Sequence, residues 1–474
     1  MSAGRNMARG GLLSLARLIT GIIRVKVVAL ALGAAGVGVY SLLLQLYLTG
    51  VALVSMSLAL PIINLGRRPI VARDFDETGA IAGTALTFVI GNTAVLLLLF
   101  AAFERPLLAY LGLSGAGVPI WPILAAIVIG ACSGAFWEGM SFLCDRFDTY
   151  VWVGVIGTIA DCGLVVTGAW LHGLRGAVFA MPLSSFAMFL AYLVLMTRDA
   201  QARQVISCLR FRARILPRLL GYSAVMFATV GLTNVGLTAM RSRVLVDSGA
   251  AQNGYLQTVT SLAAYTLAFV TTGFWGHLHS KAAAEGDVPA VRAELRRALE
   301  LGLLISFCGC GAGAVLADYL IPLFYSHAFD ASADMVTAYM PGELCFQILS
   351  LITAYQLTVS LRRIYLLWNV SYVAGLVLLG TLLIPRLGAY GYIAAHLIAA
   401  PVVLIGAFFI SWRRGQISAA FSAKVAALAL LLAAICLVLL HARSLGGPGL
   451  PLLAALLLPF AAAGTLALRR LLAR

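Results

Sequence analysis

Apolar runs of about twenty residues follow one another from one end of this chain to the other, and each is long enough to cross roughly 30 Å of hydrocarbon as a helix. Such a chain cannot close into a water-soluble domain. Of its 474 residues 62% are hydrophobic and only 11% charged, too few polar groups to coat a core of that size. The expected fold class is therefore all-α, a polytopic membrane protein of about fourteen transmembrane helices. The spans are placed at 8–32, 39–64, 80–102, 118–144, 148–171, 176–197, 216–240, 254–279, 299–324, 334–359, 364–384, 388–411, 423–441 and 449–468, where Pro, Gly and charge clusters separate them. The first span is read as part of the mature fold, since Arg17, Arg24 and Lys26 interrupt it and no small-residue cleavage site follows a compact core.

The 33 Lys and Arg fall mostly in alternate connections, which orients the chain with both termini cytoplasmic and predicts a multi-pass protein of the bacterial inner membrane. The same distribution argues against a nucleic-acid partner. A net charge of +15 is spread over short connections, with no soluble domain to organise it. Eight cysteines lie in spans or cytoplasmic segments without a CxxC pair, so neither a disulfide framework nor a metal site is expected.

The most polar mid-chain stretch, 197–216, carries Arg198, Arg203, Arg210, Arg212 and Arg214 and divides the first twelve spans into six and six. The expected domains are an N-lobe at 1–200, a C-lobe at 201–415 and an appended helix pair at 416–474. A weak internal repeat supports this division. GAAGVGVY at 33–40 corresponds to GAAQNGY at 249–255, and GLRGAVFA at 173–180 corresponds to GAYGYIAA at 388–395. Gly38 and Gly176 are 138 residues apart; Gly254 and Gly391 are 137 apart. Units of six spans enter the membrane from the same side, which predicts repeats related by an axis along the membrane normal and a substrate site where they face each other. The C-lobe also carries an insertion from Ser280 to Leu301, helix-favouring and amphipathic from Asp287 onward, read either as an interfacial helix or as an ordinary surface helix.

This organisation resembles the multidrug, oligosaccharidyl-lipid and polysaccharide exporter (MOP) superfamily, and within it the Wzx-type flippases of O-antigen and enterobacterial common antigen units. The residues that carry the resemblance are the basic first span with GAAGVGVY, the second GAAQNGY, the AEGDVPAVRAELRRALEL helix and LIPRLGAYGYIAAHLIAA at 383–400. The resemblance implies two six-helix bundles around a cavity and alternating access. It also implies export of a polyprenyl-diphosphate-linked oligosaccharide toward the periplasm for surface polysaccharide synthesis, with polysaccharide polymerase machinery as a partner. A lipid II flippase and a multidrug exporter of the same fold are the alternatives.

Ionisable side chains within spans are costly unless they meet water or a partner, so each is a functional candidate. Arg17 and Arg24 are two helical turns apart and share a face, whereas Lys26 lies roughly opposite Arg24 and can instead snorkel to the outer interface. Arg241 and Arg243 precede GAAQNGY much as Arg24 and Lys26 precede GAAGVGVY; they are read either as cavity cations or as residues of a periplasmic loop. A diphosphate brings about two negative charges and needs counter-cations in a low-dielectric cavity, for which the planar fork of Arg is suited. Arg17, Arg24, Lys26, Arg241 and Arg243 are therefore the candidate diphosphate ligands, at positions where the resemblance also implies basic residues.

No acid occurs before Asp74, which disfavours a carrier of cationic drugs. Glu138, Asp161 and Glu343 are candidate coupling acids, equally readable as ion-pair partners; Asp318 is read as a pairing residue. No cofactor is expected, and the coupling ion, H+ or Na+, stays open. Gln45, Asn92, Asn234, Gln257, Tyr355, Gln356 and Asn369 either bind sugar hydroxyls or join helices. His277 and His279 have no further metal ligands nearby. An intramembrane glycosyltransferase or ligase would need carboxylates in a sizeable extracytoplasmic loop; only Glu104 stands in the longest one, and no catalytic motif is present, so no enzyme is expected.

Overall fold

The computed structural model describes residues 3–115, 117–274, 288–359, 361–445 and 449–472, with the side chains of 3–11, 222, 268–274, 450, 468 and 470–472 outside the description. His277, His279 and the first part of the Ser280–Leu301 insertion lie outside the described residues. Helix accounts for 91% of the structure, and no strand occurs among the described residues. Hydrocarbon imposes this, because a helix satisfies its backbone N–H and C=O groups internally.

Compactness divides the chain into one unit from Met1 to Val246 and a second from Asp247 to Arg474. The first contains α1 (Ala3–Ser55), α2 (Ala59–Val71), α3 (Phe75–Tyr110), α4 (Trp121–Cys132), α5 (Glu138–Leu143), α6 (Phe147–Arg198), α7 (Ala200–Ser207) and most of α8 (Leu216–Ser248). The second contains α9 (Ala250–Phe274), α10 (Pro289–Val315), α11 (Ala317–Phe324), α12 (Ala333–Thr358), α13 (Arg362–Leu387), α14 (Ala389–Arg413), α15 (Ala419–Ser444) and α16 (Leu450–Leu472).

Two of the first unit's helices each hold two membrane passes. α1 turns at Gly33 (φ 63°, ψ −177°) and α6 at Gly173 (φ 60°, ψ −141°), conformations that a Cβ would disfavour. Small residues let the two passes of α6 lie close: Gly168 and Gly176 meet backbone to backbone. The repeat predicted from sequence has a local counterpart here. Gly388, which joins α13 to α14, adopts φ 61° and ψ −138°, and Gly391 meets the backbone of Leu383 just as Gly176 meets Gly168.

Ten helices among the described residues are long and apolar enough to span a membrane, the two kinked ones holding two passes each. The chain is a multi-pass membrane protein. Its lipid-facing surface is apolar, with side chains such as Leu98, Trp170, Leu378, Ile405 and Leu430 fully presented to the surroundings. In the second unit α12 is the central helix, packed by α9, α10, α13, α14 and α15. Asp318 is paired with Arg443 of α15 (Oδ2 to Nη2 3.0 Å), which also reaches Asp334 (3.2 Å) and the Thr337 hydroxyl (2.7 Å), so one arginine adds polar ties to the packing of α15 and α16 on α10 and α12.

The polar stretch 197–216 packs on the first unit. Arg212 N–H donates to the Thr84 hydroxyl (3.0 Å), Arg210 pairs with Asp76 (2.8 Å), and Gly79 and Gly83 give its backbone room to approach α3. The helix-favouring part of the insertion is helical as expected, continuing from Pro289 into α10 without a break.

Candidate functional site

The first unit encloses a cavity of about 390 Å³ between both passes of α1 and both passes of α6. Four helical faces shape it. The first pass contributes Arg17, Thr20, Gly21 and Arg24, and the second Tyr40, Leu44, Tyr47 and Leu48. The turn at Gly33 sets these pairs side by side, Arg24 beside Tyr40. The third face is Gly154, Gly157, Thr158, Asp161 and Cys162, and the fourth Met181, Ser184, Ser185 and Met188. Both follow helical spacing, so each presents one stripe inward. Glycines on the third face let neighbours pack closely, since a Cβ at Gly154 would meet Leu13 and one at Gly157 would meet Met188.

Arg24 and Asp161 form an ion pair across this cavity, each side chain about 30% exposed. The sequence left Asp161 open between coupling acid and ion-pair partner of the span cations; the fold pairs it with Arg24. Tyr40, buried beside them, lies within Coulombic range of both charges, and two turns along the same face the Tyr47 hydroxyl is 3.4 Å from that of Ser185. Arg17 is exposed on the same wall as Arg24, two turns away. It acts electrostatically on Glu138, which stands half-buried just after a π-helical turn at Ser133–Trp137. Two cations thus face the cavity against one carboxylate. The balance is positive.

The other predicted cations are placed differently. Lys26 does not line the cavity. Arg241 and Arg243 do not lie in a loop, because α8 continues to Ser248; the loop reading and the span end at residue 240 are corrected by this extension. Arg241 is buried and donates to the Ser41 hydroxyl (3.2 Å), whereas Arg243 is exposed; two residues apart on a helix, they point to opposite sides. Arg241 belongs to a seam between α8 and the second pass of α1. Gln45 donates to Asn234 (3.0 Å) and the Thr49 and Thr238 hydroxyls are 2.6 Å apart along it. Gln45 and Asn234 therefore join helices, as Asn92 does to the Val54 carbonyl and Gln356 to the Ser411 hydroxyl.

Glu343 sits in the second unit, buried in α12. It accepts from Gln347 Nε2 (3.0 Å), which also reaches Thr266 of α9 (2.6 Å), and its other oxygen lies 3.7 Å from His396 Nε2. His396, fully buried in α14, has Nδ1 2.8 Å from the Tyr372 hydroxyl and stacks on Tyr339 with 4.2 Å between ring centroids. The sequence reading passed over His396 within its apolar run. A histidine inside a span was itself the available signal. No group of three or more potential metal ligands occurs among the described residues.

No family model matches the sequence, and no curated protein matches it. Solved structures do. The lipid II flippase MurJ in an inward closed conformation aligns over 96% of this chain and 98% of its own, with a TM-score of 0.68 and 14% identity. An inward-facing multidrug resistance MATE family transporter of the MOP superfamily aligns over 88% and 95%, with a TM-score of 0.65 and 15% identity. A Pyrococcus furiosus MOP superfamily transporter, whose binding pocket has reversed polarity suggesting a different function, aligns over 90% and 97% at 0.59 and 15%. These similar structures are transporters and flippases. The fold of this chain is the one shared by MOP superfamily transporters.

Proposed function

We propose that this protein is a flippase of the bacterial inner membrane. It moves a polyprenyl-diphosphate-linked oligosaccharide from the cytoplasmic to the periplasmic leaflet by alternating access, for O-antigen or a related surface polysaccharide. The observation that carries the reading is the cationic cavity, in which Arg17 and Arg24 face one carboxylate. A diphosphate entering it competes with Asp161 for the Arg24 guanidinium, offering more negative charge and more acceptor oxygens than a single carboxylate. Release then follows when Asp161 recovers its partner, so the acid acts as a stand-in for the cargo. Asp161, the acid that competes with the cargo for Arg24, is the coupling acid of this reading. Tyr47, Thr158, Ser184 and Ser185 add hydroxyls near the diphosphate site.

A lipid II flippase is the second reading, favoured by the extent of the alignment with MurJ and served by the same diphosphate chemistry. The test is export of surface polysaccharide in a deletion strain complemented with variants. Arg24→Ala is expected to abolish export with unchanged membrane insertion, and Arg24→Lys to retain part of it; full export by Arg24→Ala would remove the residue from the mechanism. Loss of viability with intact surface polysaccharide in the uncomplemented strain would favour lipid II as cargo.

A further inference from the structure

A second cavity, of about 460 Å³, opens in the first unit where α2, the start of α3 and the start of α8 meet. Its lining includes Asn64, Arg68, Glu77 and Arg218. Glu77, in the first turn of α3, already accepts an ion pair from Arg212, with Arg214 3.6 Å away. Nearby Asp76 is taken by Arg210. Arg68 and Arg218, by contrast, have neither an ion-pair nor a hydrogen-bond partner among the described residues, although both face the cavity. Asn64 and Arg68 are four residues apart on α2, opposite the face that buries Ile62, Gly66 and Ile70, so both project the same way. Arg218 stands in the first turn of α8, where unpaired backbone N–H groups add positive character. The cavity therefore holds more cation than its own acid neutralises.

We propose that this cavity binds the phosphate of an anionic membrane lipid. Two guanidinium groups and an amide suit a phosphodiester, which each Arg can meet with paired N–H donors. Apolar side chains of the same connections favour a lipid over free phosphate: Leu65, Ile81 and Ile215 line the cavity, and Val71, three residues past Arg68 on α2, and Phe211, in the segment before α8, are exposed at 72% and 51%. Arginine next to exposed aromatic and aliphatic side chains is the pattern of a segment at headgroup level. The connections concerned are those expected to face the cytoplasm, where acidic lipids concentrate. None of these residues lines the cavity at Arg24, so the inference stands apart from the transport reading.

The test is lipid retention by the purified full-length protein in zwitterionic nanodiscs, titrated with phosphatidylglycerol and read by native mass spectrometry. The wild type is expected to bind phosphatidylglycerol over phosphatidylcholine, and the R68A/R218A double variant to lose roughly tenfold or more of that preference, at about 1 kcal/mol for each surface cation. R68Q/R218Q keeps side-chain length and is the substitute if the alanine variant fails to fold, with the same loss expected. Equal retention of the two lipids by the wild type, or undiminished preference in the variants, would overturn the assignment. So would displacement of phosphatidylglycerol by millimolar inorganic phosphate, which would mark a site for the free anion.

Discussion

At the scale of single residues, the Arg24 and Asp161 pair is where the physical argument is sharpest. A pair in a partly hydrated cavity gains less than a dry one, since the attraction of two charges is several-fold weaker at the higher dielectric of a hydrated site than in a dry interior. An interaction of the smaller size can be exchanged for a better anion; one of the larger size would be locked. Asp161→Asn is therefore expected to leave Arg24 available without competition. Pyrophosphate should stabilise that variant against heat at roughly tenfold lower concentration than the wild type, while export falls because cargo is no longer displaced. A thermal titration with pyrophosphate checks the first part, and identical titrations for the two proteins would show that the acid does not gate the site. Arg17 and Arg24 were legible in the sequence because cations are rare in spans and their seven-residue spacing puts them on one face. Asp161 was legible as a possible ion-pair partner, but its pairing with Arg24 in particular was not, because it lies more than a hundred residues away and only the packing of α1 on α6 joins them. His396 was missed for a different reason: an isolated histidine gives no spacing pattern, and its contacts come from two other helices, Tyr339 and Glu343 on α12 and Tyr372 on α13.

At the scale of elements, what the sequence carried best was the series of spans, since hydropathy alone requires them. The GLRGAVFA and GAYGYIAA correspondence was a weak textual likeness with a strong physical basis, namely a reversal between passes that only glycine makes cheaply. Gly173 and Gly388 hold the same dihedral angles within a few degrees. A Cβ at Gly173 would meet nothing within 4 Å, so substitution there tests conformation without crowding. Gly173→Ala is expected to cost roughly 1–3 kcal/mol from backbone strain alone. Gly163→Ala, in open space on the same α6 but at ordinary helical angles, should be neutral or stabilising by about 0.5–1 kcal/mol. Thermal unfolding of the two variants separates the cases, and equal losses would show that the turn is not strained. Element ends were harder to read. α8 runs eight residues past its expected end because Arg241 and Arg243 look like loop residues in a hydropathy window, although Arg241 is held inside by Ser41. The break between α1 and α2, where Met56 and Ser57 take positive φ, has no glycine or proline to announce it.

At the scale of the whole molecule, the two units have taken opposite polar characters. The first keeps an open cavity with an excess of cation, whereas the second buries Glu343 and His396 in a hydrogen-bonded cluster. Native cysteines report on both. Cys162 lines the cavity beside Asp161, and Cys345 is buried two positions from Glu343 on α12. In proteins reduced to one cysteine each, small charged methanethiosulfonates should modify Cys162 and leave Cys345 untouched. The sign of the reagent matters more than its size. A sulfonate reagent drawn toward Arg17 and Arg24 should react with Cys162 roughly tenfold faster than a trimethylammonium reagent, the scale on which a cleft of one sign concentrates counter-ions. High salt should shrink the ratio, because the cavity is open to screening. Pyrophosphate should protect Cys162 if the diphosphate occupies the space between Arg24 and Asp161. A faster cationic reagent would mean that Asp161 rather than the arginines sets the potential in the cavity, and the preference for an anionic cargo would lose its physical cause.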